Sequence, residues 1–202
     1  MVVRLRAVWL GLAVIVAGGW SGPASGDPIV YIEQAIATGT VGQYDFIDTL
    51  VTISLTADTG DVRQTPGGLL YNAGQGSLSV AGVGTGSFLD PLTAFTYAST
   101  AGTLIGITDT NRAVSADLLD TALPGDVPYD LSTFLAPVTG ASLISPNATF
   151  ATTFGDLNLF LAGGSTFFAT PQDVPEPPSI ALLSGAMAVL LVLRLTLART
   201  IY

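Results

Sequence analysis

Apolar and polar residues alternate along the middle of the chain in short runs with a period of two. Ile47, Val51, Ile53 and Leu55 fall on one face of a predicted strand, with Asp48, Thr52, Ser54 and Thr56 on the other. Leu78 and Val80 alternate with Ser77 and Ser79, and Phe95 and Tyr97 flank Thr96. Phe150 and Phe154 alternate with Thr149 and Thr153, and Leu157, Leu159 and Leu161 with Asn158 and Phe160. Turn-forming clusters separate these runs: Asp58-Thr59-Gly60-Asp61, Pro66-Gly67-Gly68, Asn72-Ala73-Gly74, Pro124-Gly125-Asp126, Ser145-Pro146-Asn147 and Gly163-Gly164. A last strand is expected over 166–169. The best helical stretch of the middle, 113–119, is short. Many short strands at a spacing of roughly 8–12 residues predict an all-β fold, a single β-sandwich or jelly-roll-like domain. No repeat of about 20–50 residues supports a propeller or solenoid.

Both ends break this pattern. Arg4 and Arg6 precede an apolar run over 7–17, and 18–26 is rich in small residues. That order is a secretory signal peptide, and the small residues of Ala24-Ser25-Gly26 place its expected cut before Asp27, with a cut after Ala24 as the rival. At the other end, 180–193 carries no charge. Fourteen helical residues at about 1.5 Å each reach roughly 21 Å, short of the roughly 30 Å hydrocarbon core. If Arg194 snorkels to the interface, Leu195, Leu197 and Ala198 extend the helix to a spanning length of about 20 residues. Arg194 and Arg199 mark that end as cytoplasmic. Pro177 and Pro178 stop the helix from running backwards, and Ser179 suits its N-cap. The expected organisation is therefore a signal peptide over 1–26, an all-β ectodomain over 27–170 and a proline-rich linker over 171–178. A transmembrane helix over 179–198 and a short cytoplasmic end over 199–202 follow.

Val174-Pro175-Glu176-Pro177, the apolar helix behind it and the terminal arginines together resemble the PEP-CTERM sorting tail of Gram-negative bacteria. The matching residues are Pro175, Glu176, Pro177, Ser179 and the apolar run. Pro178 stands where a small polar residue usually follows the motif, and the basic end is thin. The resemblance covers about thirty residues at the extreme C-terminus. It implies export, transient anchoring in the inner membrane, processing by an exosortase-type enzyme, and a place at the cell surface or in an extracellular, exopolysaccharide-rich matrix such as a biofilm.

Charge sharpens this picture. Between Asp27 and Asp173 lie fourteen acidic residues against Arg63 and Arg112, a net charge of −12. Such a surface repels nucleic-acid phosphates. The chain contains no histidine, cysteine or lysine. That removes Ser-His-Asp and Cys-His nucleophile arrangements, imidazole and thiolate metal sites, Ser-Lys dyads and Schiff bases. Only carboxylate chemistry remains, and no two carboxyls stand at a separation that the sequence defines, so no enzyme and no cofactor are expected. The weak metal candidates are the pairs Asp58/Asp61, Asp109/Asn111 and Asp117/Asp120; no calcium-loop motif contains them, and loop Asp and Asn more often close local turns. Gly82-Val83-Gly84-Thr85-Gly86 lacks the lysine and the helix of a phosphate loop and reads as a turn or bulge. Both tryptophans, Trp9 and Trp20, fall in the signal peptide, which leaves tyrosines as the candidate sugar-stacking rings. The expectation is a non-catalytic exported surface or matrix protein. The alternative is a carbohydrate- or calcium-dependent binding module on the same scaffold. Three solvent-facing tyrosines in one plane, or converging carboxylates, would favour that alternative.

Overall fold

The computed structural model describes residues 26–109, 117–146 and 148–172. The described residues form eleven strands: β1 (Pro28–Val41), β2 (Tyr44–Asp58), β3 (Arg63–Gln64), β4 (Leu70–Val80), β5 (Gly84–Ser87), β6 (Leu92–Ser99), β7 (Gly102–Asp109), β8 (Asp117–Leu123), β9 (Leu135–Leu143), β10 (Phe150–Thr152) and β11 (Gly155–Pro171). Every pairing is antiparallel, and the order β1-β2-β4-β6-β7-β8-β9-β11 closes on itself because β11 also pairs with β1. The result is an eight-stranded barrel in which chain order and spatial order agree. The all-β expectation holds, but the two-layer sandwich or jelly roll does not. In place of Greek-key crossings, the last strand completes a meander by bonding to the first.

The alternation of β1 shows how the wall is built. Ile29, Tyr31, Glu33, Ala35, Ala37 and Val41 are buried inside, while Val30, Ile32, Gln34, Ile36 and Thr38 face out. The same rule sends Val51, Ile53 and Leu55, Leu78 and Val80, Ile105 and Ile107, and Phe167 and Ala169 into one core. The wall has an apolar inside and a largely hydroxyl-bearing outside over β2, β4 and β5, the reverse of a transmembrane barrel. Among the described residues no helix is long and apolar enough to cross a membrane; the expected span at 179–198 lies outside them.

Two departures from alternation have a local cause. Ile47 is 73% exposed and Phe46 takes the inward place. A bulge puts Ile47 and Asp48 opposite Thr38, with Asp48 at φ 47°, so the face changes between Phe46 and Val51. A second bulge sits between Leu159 and Leu161, which pair with Gly39 and Thr38, and Leu161 is turned out. The expected helix over 113–119 is corrected in part: Asp117, Leu118 and Leu119 belong to strand β8, and 113–116 lie outside the described residues.

The barrel narrows at one end, where β5 and β10 meet through the Phe88↔Thr152 bridge and complete a ring with β1, β2, β4 and β11. Phe46, Phe88, Phe150 and Leu157 fill that end. At the wide end the connection between β8 and β9 sends Leu131 and Tyr129 into the mouth as a plug. Leu131 takes φ 61°, and its carbonyl accepts the Tyr31 hydroxyl. Asn72 Nδ2 donates to Tyr31 Oη at 2.8 Å and to the Asp58 carbonyl at 3.0 Å. Phe167 packs against both tyrosines, with centroids 6.2 Å from Tyr31 and 6.4 Å from Tyr129. One hydroxyl therefore ties strand β1, strand β4 and the plug together. Tyr31→Phe is expected to lower unfolding free energy by about 1–2 kcal/mol, the usual loss when a buried hydrogen-bonding partner is deleted. Urea unfolding of the variant beside wild type measures it; an unchanged midpoint would mean that the plug is held by packing alone.

Candidate functional site

The expected sorting residues Val174, Pro175, Glu176, Pro177 and Ser179, the membrane-end arginines Arg194 and Arg199, and the signal arginines Arg4 and Arg6 lie outside the described residues. So does Asn111. Of the remaining metal candidates, Asp58 and Asp61 close a turn. Asp58 Oδ1 accepts from the Gly60 amide at 2.7 Å, and Asp61 pairs with Arg63 at 3.3 Å. Among the described residues no group of three or more acidic side chains is placed to hold a metal ion.

Asp117 and Asp120 are brought together with something else. A row of outward side chains runs across the strands in register: Tyr71 on β4 beside Phe95 on β6, then Gly106 on β7, then Asp120 on β8. Gly106 has no side chain, and the Asp120 carboxyl occupies the gap. A Cβ added at Gly106 would lie 2.3 Å from Asp120 Oδ1 and 2.7 Å from the Leu119 carbonyl oxygen. Above this row opens a groove of about 620 Å³, lined by Tyr71, Phe95, Tyr97, Leu104, Thr108 and Asp117 among others. Phe95 forms its buried floor, and Tyr97 stands 42% exposed at its rim. Asp120 is fully buried, and its carboxyl oxygens meet no donor among the described residues except a proton shared with the Asp117 carboxyl.

A second acid lies on the inner face of the same wall. Glu33 points into the core from β1, where Thr121 Oγ1 donates to its Oε1 at 2.9 Å. Thr121 also meets Ser165 Oγ at 2.7 Å, and Ser165 donates to the Asp120 carbonyl at 3.0 Å. Glu33 Oε2 has no partner. Burial, followed by the charge of Asp120, raises the Glu33 carboxyl well above its usual range; hydrogen bonds from Thr121 and the Ile107 backbone oppose this and lose. Burial and then the neighbouring Asp117 charge push Asp120 up to about 9, and burial raises Asp117 as well. Among the described residues the cation is Arg63, and it is committed elsewhere, donating to the Gly60 carbonyl at 3.1 Å and bridging to Asp61.

The arrangement offers one reachable carboxyl, Asp117, beside an aromatic groove, with an enclosed second carboxyl behind it. Hydrolysis by paired carboxyls requires both to reach the scissile bond, so the geometry suits binding better than bond cleavage. Tyr71 and Tyr97 share the groove, whereas Tyr31 and Tyr129 are buried in the core, so the described surface does not bring three tyrosines into one plane around it. Sequence reading named Asp117 and Asp120 only as metal candidates and passed over Glu33 and Gly106. Two signals pointed to the latter: a lone acid in the apolar register Ile29-x-Tyr31-x-Glu33-x-Ala35, and an isolated glycine inside a strand. No protein-family model, characterised protein or solved structure matches this chain.

The raised acids fix how stability follows pH. A folded-state value above the unfolded one means that the native state holds the proton longer. Stability is then greatest below about pH 4 and falls as pH rises toward 9, by up to about 1.4 kcal/mol per pH unit for each group. Asp120→Asn should flatten that fall, matching wild type near pH 4 and exceeding it near pH 8. Urea unfolding at both pH values tests this; a wild-type barrel that gains stability between them would overturn the assignment.

Proposed function

We propose that the chain is a non-catalytic, exported surface or extracellular-matrix protein, sorted through its C-terminal tail. The carrying observation is the order of segments. A cationic and apolar leader precedes a barrel that begins at Pro28, one residue past the expected cut, and an acidic proline-rich stretch, an apolar run and arginines follow the barrel in sequence. Three features of the barrel support the reading. It has no cysteine and needs no redox chemistry outside the cell. The net charge of −12 between Asp27 and Asp173 keeps it soluble and away from anionic surfaces. Its ends are closed on themselves, so it carries no long free strand edge to template association.

In this reading Pro175 and Glu176 are presented to an exosortase-type enzyme in an extended segment just outside the membrane. Arg194 and Arg199 hold the far end in the cytoplasm. The released barrel then resides at the cell surface or in the exopolysaccharide matrix. Pro175→Ala combined with Glu176→Ala should block C-terminal processing in a host that carries such an enzyme, leaving a longer species in the membrane fraction. Immunoblotting of membrane and medium reads the result; unchanged mobility and release of the double variant would refute the sorting role.

A further inference from the structure

Among the described residues, two adjacent carboxyls at the edge of an aromatic groove have no cation beside them. Asp120 is buried against Gly106, and its carboxyl meets no donor among the described residues other than a proton shared with Asp117. Asp117, on the same strand, lines the groove beside Tyr71, Phe95, Tyr97 and Leu104. Burying acidic groups without partners is costly, and the site relieves that cost only by holding protons or by taking a cation. The ring faces of tyrosine and phenylalanine attract an organic cation through their quadrupoles, at about 0.5–2 kcal/mol each. An anion would meet only carboxyls here. A neutral sugar could stack on the rings but would leave the acids uncompensated. Among the described residues no three acidic side chains are placed to hold a metal ion, and calcium takes six to eight oxygens.

We propose that the groove over strands β4, β6 and β7 binds an organic ammonium group, seated among Tyr71, Phe95 and Tyr97 and held by Asp117. The volume, about 620 Å³, suits a small amine or the head of a larger one. The net charge of −12 between Asp27 and Asp173 draws cations toward it. The titratable groups facing the site are Asp109 from β7, Tyr71 from β4, Tyr97 from β6 and, through the wall, Glu33 from β1. Binding displaces protons from the acids. Affinity for the cation should therefore rise with pH, by at most about tenfold per unit for each proton released. This inference does not depend on how the chain is sorted.

The test is calorimetry on the whole chain in a neutral detergent, with tetramethylammonium chloride as the probe against sodium chloride at equal ionic strength. Saturable binding is expected, tighter at pH 8 than at pH 6. Tyr97→Ala at the exposed rim and Asp117→Asn should each weaken it at least fivefold while the melting transition stays cooperative. Four results would overturn the proposal: no binding beyond that of sodium, saturable binding of cellobiose with none of the ammonium probe, binding of calcium with none of the probe, or probe binding that emerges only in Arg112→Gln. The last would make the chain's own arginine the counter-ion.

Discussion

From Ile29 against Pro171 to Val41 against Leu157, the first and last strands pair along their whole length. That ladder turns a meander into a barrel. Without it, β1 and β11 would be two long edges with unpaired amides and carbonyls, and the inner row from Ile29 to Val41 would lose one of its two flanking walls. Apart from the Phe88–Thr152 bridge, the other pairings join strands close in sequence. This one joins residues more than a hundred positions apart, so it sets the slow, non-local step of folding. It also brings Glu33 of β1 to the Thr121–Ser165 pair, whose strands β8 and β11 both flank β9.

Closure explains why acids accumulate in this wall. Strand β8 is buried on both faces over Leu118, Leu119, Asp120 and Thr121, so an aspartate on its outer face is withdrawn from water as firmly as a glutamate inside. A chain without lysine or histidine has few ways to compensate such groups. In the described barrel it uses hydroxyls and protons: Thr121 and Ser165 inside, and a retained proton on Asp120. The same shortage of positive charge that keeps the surface acidic leaves these carboxyls available to a cation from outside. Stability and binding are thus coupled through one set of side chains.

Alternation alone revealed the strands, because a half-buried strand must present every second residue to the core. Val51, Ile53, Leu55, Leu78, Val80, Leu157 and Leu159 are all inward as their spacing implies. Closure was not legible, since sandwich and barrel strands share one pattern and differ only in whether the last strand finds the first. The bulges at Asp48 and Phe160 were hidden for a related reason. One extra residue flips the face without changing composition, which is why Ile47 and Leu161 read as core and stand in solvent. The groove was hidden because its parts, Tyr71, Phe95, Gly106 and Asp120, sit on four strands and meet only through register. The expected sorting tail lies outside the described residues, and its reading rests on sequence order alone: a proline-rich stretch, an apolar run and arginines.

Cysteines placed at Ile32 and Phe168, partners across the β1–β11 ladder in a chain that has none of its own, test closure most directly. Paired positions in an antiparallel ladder bring Cα atoms within the roughly 4.4–6.8 Å that a disulfide spans. The folded double variant is expected to oxidise to an intramolecular disulfide and to unfold at a higher urea concentration than its reduced form. Two thiols that stay free to react in a cooperatively folded protein would contradict the closed barrel.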